Sequence, residues 1–149
     1  MKIVLDWGTC FFMKTDVQVN ITVPNAPSSL AKVCDALRSA NVNILAIACT
    51  EGAPSTIIHL IVNDFETAKI VLKPLGKVST TEVVSFVVQN KPGAIASIGR
   101  AFAGAGINIK NIYSSAIGRE GKVYVIVEDC KKAMEALKPW KNAIMEASQ

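Results

Sequence analysis

"QNKPGAIASIGRAFAGAGINIKNI", residues Gln89 to Ile112, sets Pro92, Gly93, Gly99, Gly104 and Gly106 within a run of Ala and Ile. Such a stretch invites reading as a phosphate-cradling loop. A G-x-G-x-x-G loop must lie between a strand and the start of a helix, so that free N–H groups point at the anion. Gly104 and Gly106 fall at the far end of the helical segment. There they read as a helix stop, with Gly106 free to take positive φ. Gly99 lies mid-helix beside Ala96 and Ala103. Glycine there costs roughly 0.5–1 kcal/mol relative to alanine, so close backbone packing is the expected compensation. The nucleotide reading fails on position. Gly93 alone stands between a strand and a helix N-terminus. Without a Cβ it either admits one carboxylate to the free N–H groups or merely permits the turn.

The same arrangement occurs earlier in the chain. Shifted by 65 positions, the sequence falls on itself without a gap. Asn25 and Pro27 meet Asn90 and Pro92, Asn43-Ile44 meets Asn108-Ile109, and Leu72-Lys73-Pro74 meets Leu137-Lys138-Pro139. Non-identical positions stay apolar, as in Leu30/Ile95, Val33/Ile98 and Leu37/Phe102. This is an internal duplication.

Each copy predicts the same elements. Residues 16–23 and 82–88 are β-branched and apolar, and read as strands. A Pro-bearing turn leads into helices over 29–40 and 94–105, proline being tolerated in the first helical turn. The inward stripes are expected to be Leu30, Val33, Cys34 and Leu37 in one copy and Ile95, Ile98 and Phe102 in the other. Strands follow at 44–49 and 56–62, and at 109–116 and 122–127. Asp64 and Asp129 are placed to cap second helices that end near Leu72 and Leu137. A last strand follows Gly76, and 143–147 is its weaker counterpart. The fold class is α+β: two ferredoxin-like βαββαβ units in tandem, each an antiparallel sheet with its helices on one face.

Composition narrows the function classes. Half of the 149 residues are apolar and 19% are charged, against roughly 25% charged in typical soluble chains. So apolar a chain is expected to bury further surface in an oligomer. The net charge of +4 is spread out, Lys131-Lys132 being the only adjacent basic pair. That is a poor nucleic-acid footprint. No apolar run approaches the roughly 20 residues that span a bilayer, and Asp6 interrupts the N-terminal apolar run too early for a secretory signal. A cytoplasmic protein without membrane or nucleic-acid partners is expected. Cys10, Cys34, Cys49 and Cys130 show no C-x-x-C spacing and His59 is the only histidine, so neither a metal site nor a cofactor is expected.

Asn90-Lys91-Pro92-Gly93, an apolar helix and then Ala105-Gly106-Ile107-Asn108-Ile109 resemble the ACT domain, a small regulatory module of amino-acid metabolism. Its pattern is an acidic residue or Asn, any residue, Pro-Gly, and a helix ending in Gly-x-Asn-Ile. Copy one fits more loosely, with Ser28 in place of Gly93 and Asn41 in place of Gly106. The division is an N-terminal extension at 1–14, one ACT-like repeat at 15–79 and a second at 80–149. The resemblance implies an amino acid bound at the seam between ACT units, in contact with the strand–helix loop of one unit and the second strand of its neighbour. Carried over, this points to Asn90, Gly93 and Asn108, with backbone around Ala94 and Ile109. Asn25 and Asn43 are the copy-one equivalents, where the Ser28 side chain crowds the approach.

The resemblance implies a non-catalytic sensor that binds a free amino acid and forms a dimer or higher homo-oligomer. The alternative is a detached regulatory subunit with an enzyme of amino-acid biosynthesis as its partner. Other uses of the fold fit less well. An acylphosphatase-like activity wants an Arg in the first loop, where copy two offers only Lys91. An RNA-binding sheet wants aromatics on its central strands, where 119–125 holds only Tyr124. His59 reads as a sheet-face residue rather than a base.

Overall fold

The structure, a computed structural model, describes residues 13–141. Its elements run β1 (Met13–Pro24), α1 (Ser29–Ser39), β2 (Ile44–Thr50), β3 (Ser55–Val62), α2 (Phe65–Leu72), β4 (Lys77–Gln89), α3 (Ala94–Gly104), β5 (Asn111–Ile117), β6 (Glu120–Ile126) and α4 (Cys130–Leu137). Short 3-10 turns, Lys73–Leu75 and Lys138–Trp140, follow α2 and α4. Each carries a proline early in the turn, so the chain tightens past the helix instead of stopping before it.

Two compact units emerge. One is Val17–Thr81; the other comprises 82–141 together with 13–16. In the first, strands lie in the order β2-β3-β1, with the start of β4 beside β1. The β1–β3 register pairs Val19 with Leu60 and Ile21 with Ile58. In the second, the order is β5-β6-β4, with 13–16 beside β4, and Val84 pairs with Val125. Both are the antiparallel ferredoxin-like arrangement. The strand expected after Gly76 and the one expected at 82–88 are a single strand, β4. Residues 13 and 14, placed by sequence at the end of an extension, begin β1. The strand expected at 143–147 lies outside the described residues.

Alternation decides the core. Val19, Ile21 and Val23 of β1 and Ile58 and Leu60 of β3 pack with Val33 and Leu37 of α1 and Ala68 and Leu72 of α2. In the other unit Val84, Phe86, Val123 and Val125 pack with Ile98 and Phe102 of α3 and Ala133 and Leu137 of α4. Burying each larger side chain contributes roughly 1.5–3 kcal/mol. The helices thus lie on one face of each unit's sheet.

The inward stripes are shifted from expectation. Leu30 is 45% exposed and Ile95 43%, and Cys34 is only half-buried. The spacing that reaches the core is Ser29-Val33-Leu37 in α1, and Ala94, Ser97, Ile98, Ala101 and Phe102 in α3. The two serines can be buried because their hydroxyls are satisfied locally. Ser29 Oγ donates to the Pro24 carbonyl at 2.6 Å and Ser97 Oγ to that of Gly93 at 3.1 Å. Gly99 is a second correction. No atom beyond its own helix backbone and chain neighbours lies within 4 Å of where a Cβ would stand, so nothing among the described residues packs closely on it.

Asp64 and Asp129 cap as expected, accepting from Thr67 N–H and Lys132 N–H at 3.0 Å each. Thr67 Oγ1 also donates to Asp64, and these bonds hold the carboxyl below its usual pKa.

Candidate functional site

The strand–helix loop of each copy is pinned to a turn by an equivalent bond. Asn25 N–H donates to Pro54 O and Asn90 N–H to Arg119 O, each at 3.0 Å. The carboxamides add to this. Asn90 Nδ2 donates to Gly118 O at 2.9 Å, and Asn25 Nδ2 to Glu51 Oε1 at 3.3 Å. Both asparagines therefore hold their loops in shape, each through one carboxamide N–H.

The loops then diverge. Gly93, at the N-cap of α3, has φ +91°, and the space where its Cβ would stand is open. Ser28, at the same place in copy one, sits right-handed at φ −89°. Neither helix N-terminus has a side-chain cap or an acidic residue in its first turn. Ala94, the first residue of α3, is buried and its N–H reaches Lys91 O at 3.4 Å. The next two N–H groups of the first turn are free of intrahelical partners.

The other predicted residues lie past the far ends of α1 and α3. Gly106 takes φ +67° and Asn41 takes φ +56°, so asparagine serves as the helix stop where copy two has glycine. Asn108 follows in the link to β5. β5 begins at Asn111, two residues later than expected, because only Lys110 N–H, bound to Ile126 O at 2.8 Å, ties the link to β6. Ile109 rests half-buried against the core. Asn108 is exposed and its carboxamide has no hydrogen-bond partner among the described residues. Asn43 is held differently. Its N–H donates to Asn63 Oδ1 at 2.8 Å and its carbonyl accepts from Asn63 N–H. It also lines a shallow depression of about 430 Å³ with Cys34, Arg38, Asn41, Val42 and Ile44.

Gly93 and Asn108 therefore stand at opposite ends of α3. The helix between them, of eleven residues at about 1.5 Å each, is roughly 16 Å long. The same holds for Asn25 and Asn43 around α1. One small ligand cannot touch both ends within one copy.

On the sheet faces turned from the helices lie polar residues that the sequence reading did not connect. In one unit His59 Nδ1 meets Asn20 Oδ1 at 2.9 Å and its Nε2 meets Thr50 Oγ1 at 3.1 Å. Asn20 Nδ2 donates to Thr81 Oγ1 at 2.9 Å. Burial pushes the His59 pKa below its usual value, and among the described residues no carboxylate is a hydrogen-bond partner. In the other unit Ser85 Oγ donates to Asp16 Oδ2 at 2.7 Å, Lys14 Nζ is 3.3 Å from Asp16 Oδ1, and Tyr113 stacks on Tyr124 with centroids 5.3 Å apart. The 65-residue shift carries Asn20 onto Ser85 and Asp16 onto Thr81, so the signal for these cross-strand pairs was present in the repeat. Among the described residues no group of His, Cys, Asp and Glu could hold a metal, and no helix is long and apolar enough to cross a membrane.

The sequence profile of the ACT domain pair matches residues 14–146. The chain belongs to the ACT domain pair family. A protein from Bacteroides thetaiotaomicron has a similar crystal structure, with 29% identity, a TM-score of 0.81, and coverage of 87% of this chain and 90% of that one. The regulatory subunit of aspartate kinase from Thermus thermophilus, in ligand-free form, is similar at 21% identity and a TM-score of 0.61, covering 86% and 95%. Aspartokinase alpha and beta subunits give 20% identity and a TM-score of 0.63, over 88% and 97%. No curated protein matches the chain. Within this ACT pair the loop glycine of copy two, Gly93, is left-handed and open, where copy one has Ser28.

Proposed function

We propose that this ACT pair is a non-catalytic regulatory protein that binds a free amino acid between ACT units of two chains. The observation that carries this is the division of the copy-two residues. The open Gly93 loop and Asn108, whose carboxamide is unpartnered among the described residues, lie at opposite ends of α3, a helix about 16 Å long. A neighbouring copy two packed antiparallel supplies the missing half to each. The ligand carboxylate then faces the N–H groups beyond Gly93, and its polar head meets the carboxamide of Asn108. Charge-assisted bonds of this kind are the stronger class.

The surface suits such pairing. Ile95, Ile112 and Ile117 are exposed in the unit that contains copy two, and Leu30, Leu45 and Ile47 in the other. A regulatory subunit acting on an amino-acid biosynthetic enzyme is the second reading, favoured by the similarity to the regulatory subunit of aspartate kinase. The first test is a melting-temperature screen against the twenty amino acids. A ligand at 100 times its Kd stabilises by about 2.7 kcal/mol, so at least one amino acid is expected to raise the midpoint. If none does while RNA or nucleotides do, the sensor reading is lost.

A further inference from the structure

The duplication offers an internal comparison at the end of copy one that carries Ser28. There a cavity of about 300 Å³ is lined by Val23, Ala26, Ser28, Lys32, Pro74 and Leu75, with backbone of the same loop. It opens between the first turn of α1 and the 3-10 turn Lys73–Leu75. In copy two the equivalent turn, Lys138–Trp140, lies against α3, and the larger Trp140, in the place of Leu75, packs on its core as Leu75 does on that of copy one. Ser97 stands there in the place of Lys32, its hydroxyl turned to Gly93 O. Copy one thus has the smaller side chain at the turn and an ammonium where copy two has a spent hydroxyl.

The lining defines a ligand chemistry. Lys32 is the only charged lining residue, and it makes no ion pair or hydrogen bond through its side chain among the described residues. The Ser28 hydroxyl caps nothing. Val23, Ala26, Pro74 and Leu75 are apolar. The volume is at the lower end of the roughly 300–1,000 Å³ of small-molecule sites. A zwitterion would bring an ammonium that meets no carboxylate here, and a phosphate or dicarboxylate would bring a second negative charge with no second cation. We propose that this cavity binds a short aliphatic monocarboxylate, its carboxylate between Lys32 and Ser28 and its alkyl part against Pro74 and Leu75. The site lies within one copy and is separate from the proposed one at Gly93 and Asn108.

The test uses 3-methylbutanoate as probe, followed by amide chemical shifts of the full chain. Saturable shifts are expected at Ser28, Ser29, Lys32 and Leu75, without shifts at Gly93 and Asn108. Lys32→Ser should weaken the probe by about fivefold or more, and 3-methylbutanamide, which lacks the charge, should bind correspondingly more weakly. Leu75→Trp, which installs the copy-two residue, should abolish the shifts and raise the melting temperature. The proposal is overturned if no saturable shifts occur, if they map to copy two, or if Lys32→Ser leaves the affinity unchanged. Lys32 is exposed, so its variant keeps the test open even where Leu75→Trp does not fold.

Discussion

Asn108 and Asn43 occupy the same place in the two copies and have different neighbours. Asn63 brackets the backbone of Asn43 from both sides, while Asn108 has Glu128 at the corresponding position, and that side chain pairs with Lys110 at 3.5 Å. Asn108→Ala is therefore expected to leave stability nearly unchanged and to lower amino-acid affinity roughly tenfold, the loss of a hydrogen bond worth roughly 1–3 kcal/mol to a charged group. Asn43→Ala should weaken it less. Titration calorimetry and thermal melts on both variants check this. Equal losses of stability with binding intact would make both asparagines structural. His59 supplies a pH dependence. Burial lowers its pKa in the folded state, so the unfolded chain takes up the proton first as pH falls. Its contribution is intact above its unfolded value of about 6.5 and is lost below it. Denaturant midpoints should drop through that window, and His59→Gln should flatten the drop. An unchanged drop in the variant would assign it to other groups.

At the scale of elements, the caps were legible in the sequence because an aspartate just before an apolar helical run has one strong local use. Replacing Asp64 or Asp129 by Ala should lower stability through loss of the cap, read as a drop in denaturant midpoint. A larger loss at one of them would mean a further role. The helix stripes were legible only in part. Apolar spacing alone cannot distinguish Ser29-Val33-Leu37 from Leu30-Cys34-Leu37, because it gives no credit to serines that satisfy themselves on the preceding turn. The late start of β5 escaped for a similar reason, since Ile107 and Ile109 resemble strand residues yet pack on the core before pairing begins. Gly76 was seen only as a break. A Cβ there would run into the Thr22 carbonyl, so Gly76→Ala must push the start of β4 away from β1. Its cost is expected to be among the larger single-residue losses, roughly 1–3 kcal/mol as for overpacked positions, and a stability matching wild type would contradict the close approach.

For the whole molecule, the duplication was the decisive reading, since a 65-residue period states both the unit and its count. What the period alone does not give is which groups could meet one ligand; the strand-helix-strand order puts Gly93 and Asn108 at opposite ends of a helix, and α3 is about 16 Å long. The proposed answer is that a second chain completes the site. A mixing titration tests this most directly. Gly93→Val, which crowds the loop, and Asn108→Ala, which removes the amide, are each expected to fold and to bind the amino acid poorly alone. Mixed and allowed to exchange subunits, they should regain binding at wild-type affinity in a fraction of the sites, because each mixed pair rebuilds one intact seam. Two folded variants that remain as silent together as apart, in pairs shown by mass spectrometry to be mixed, would contradict a site shared between chains.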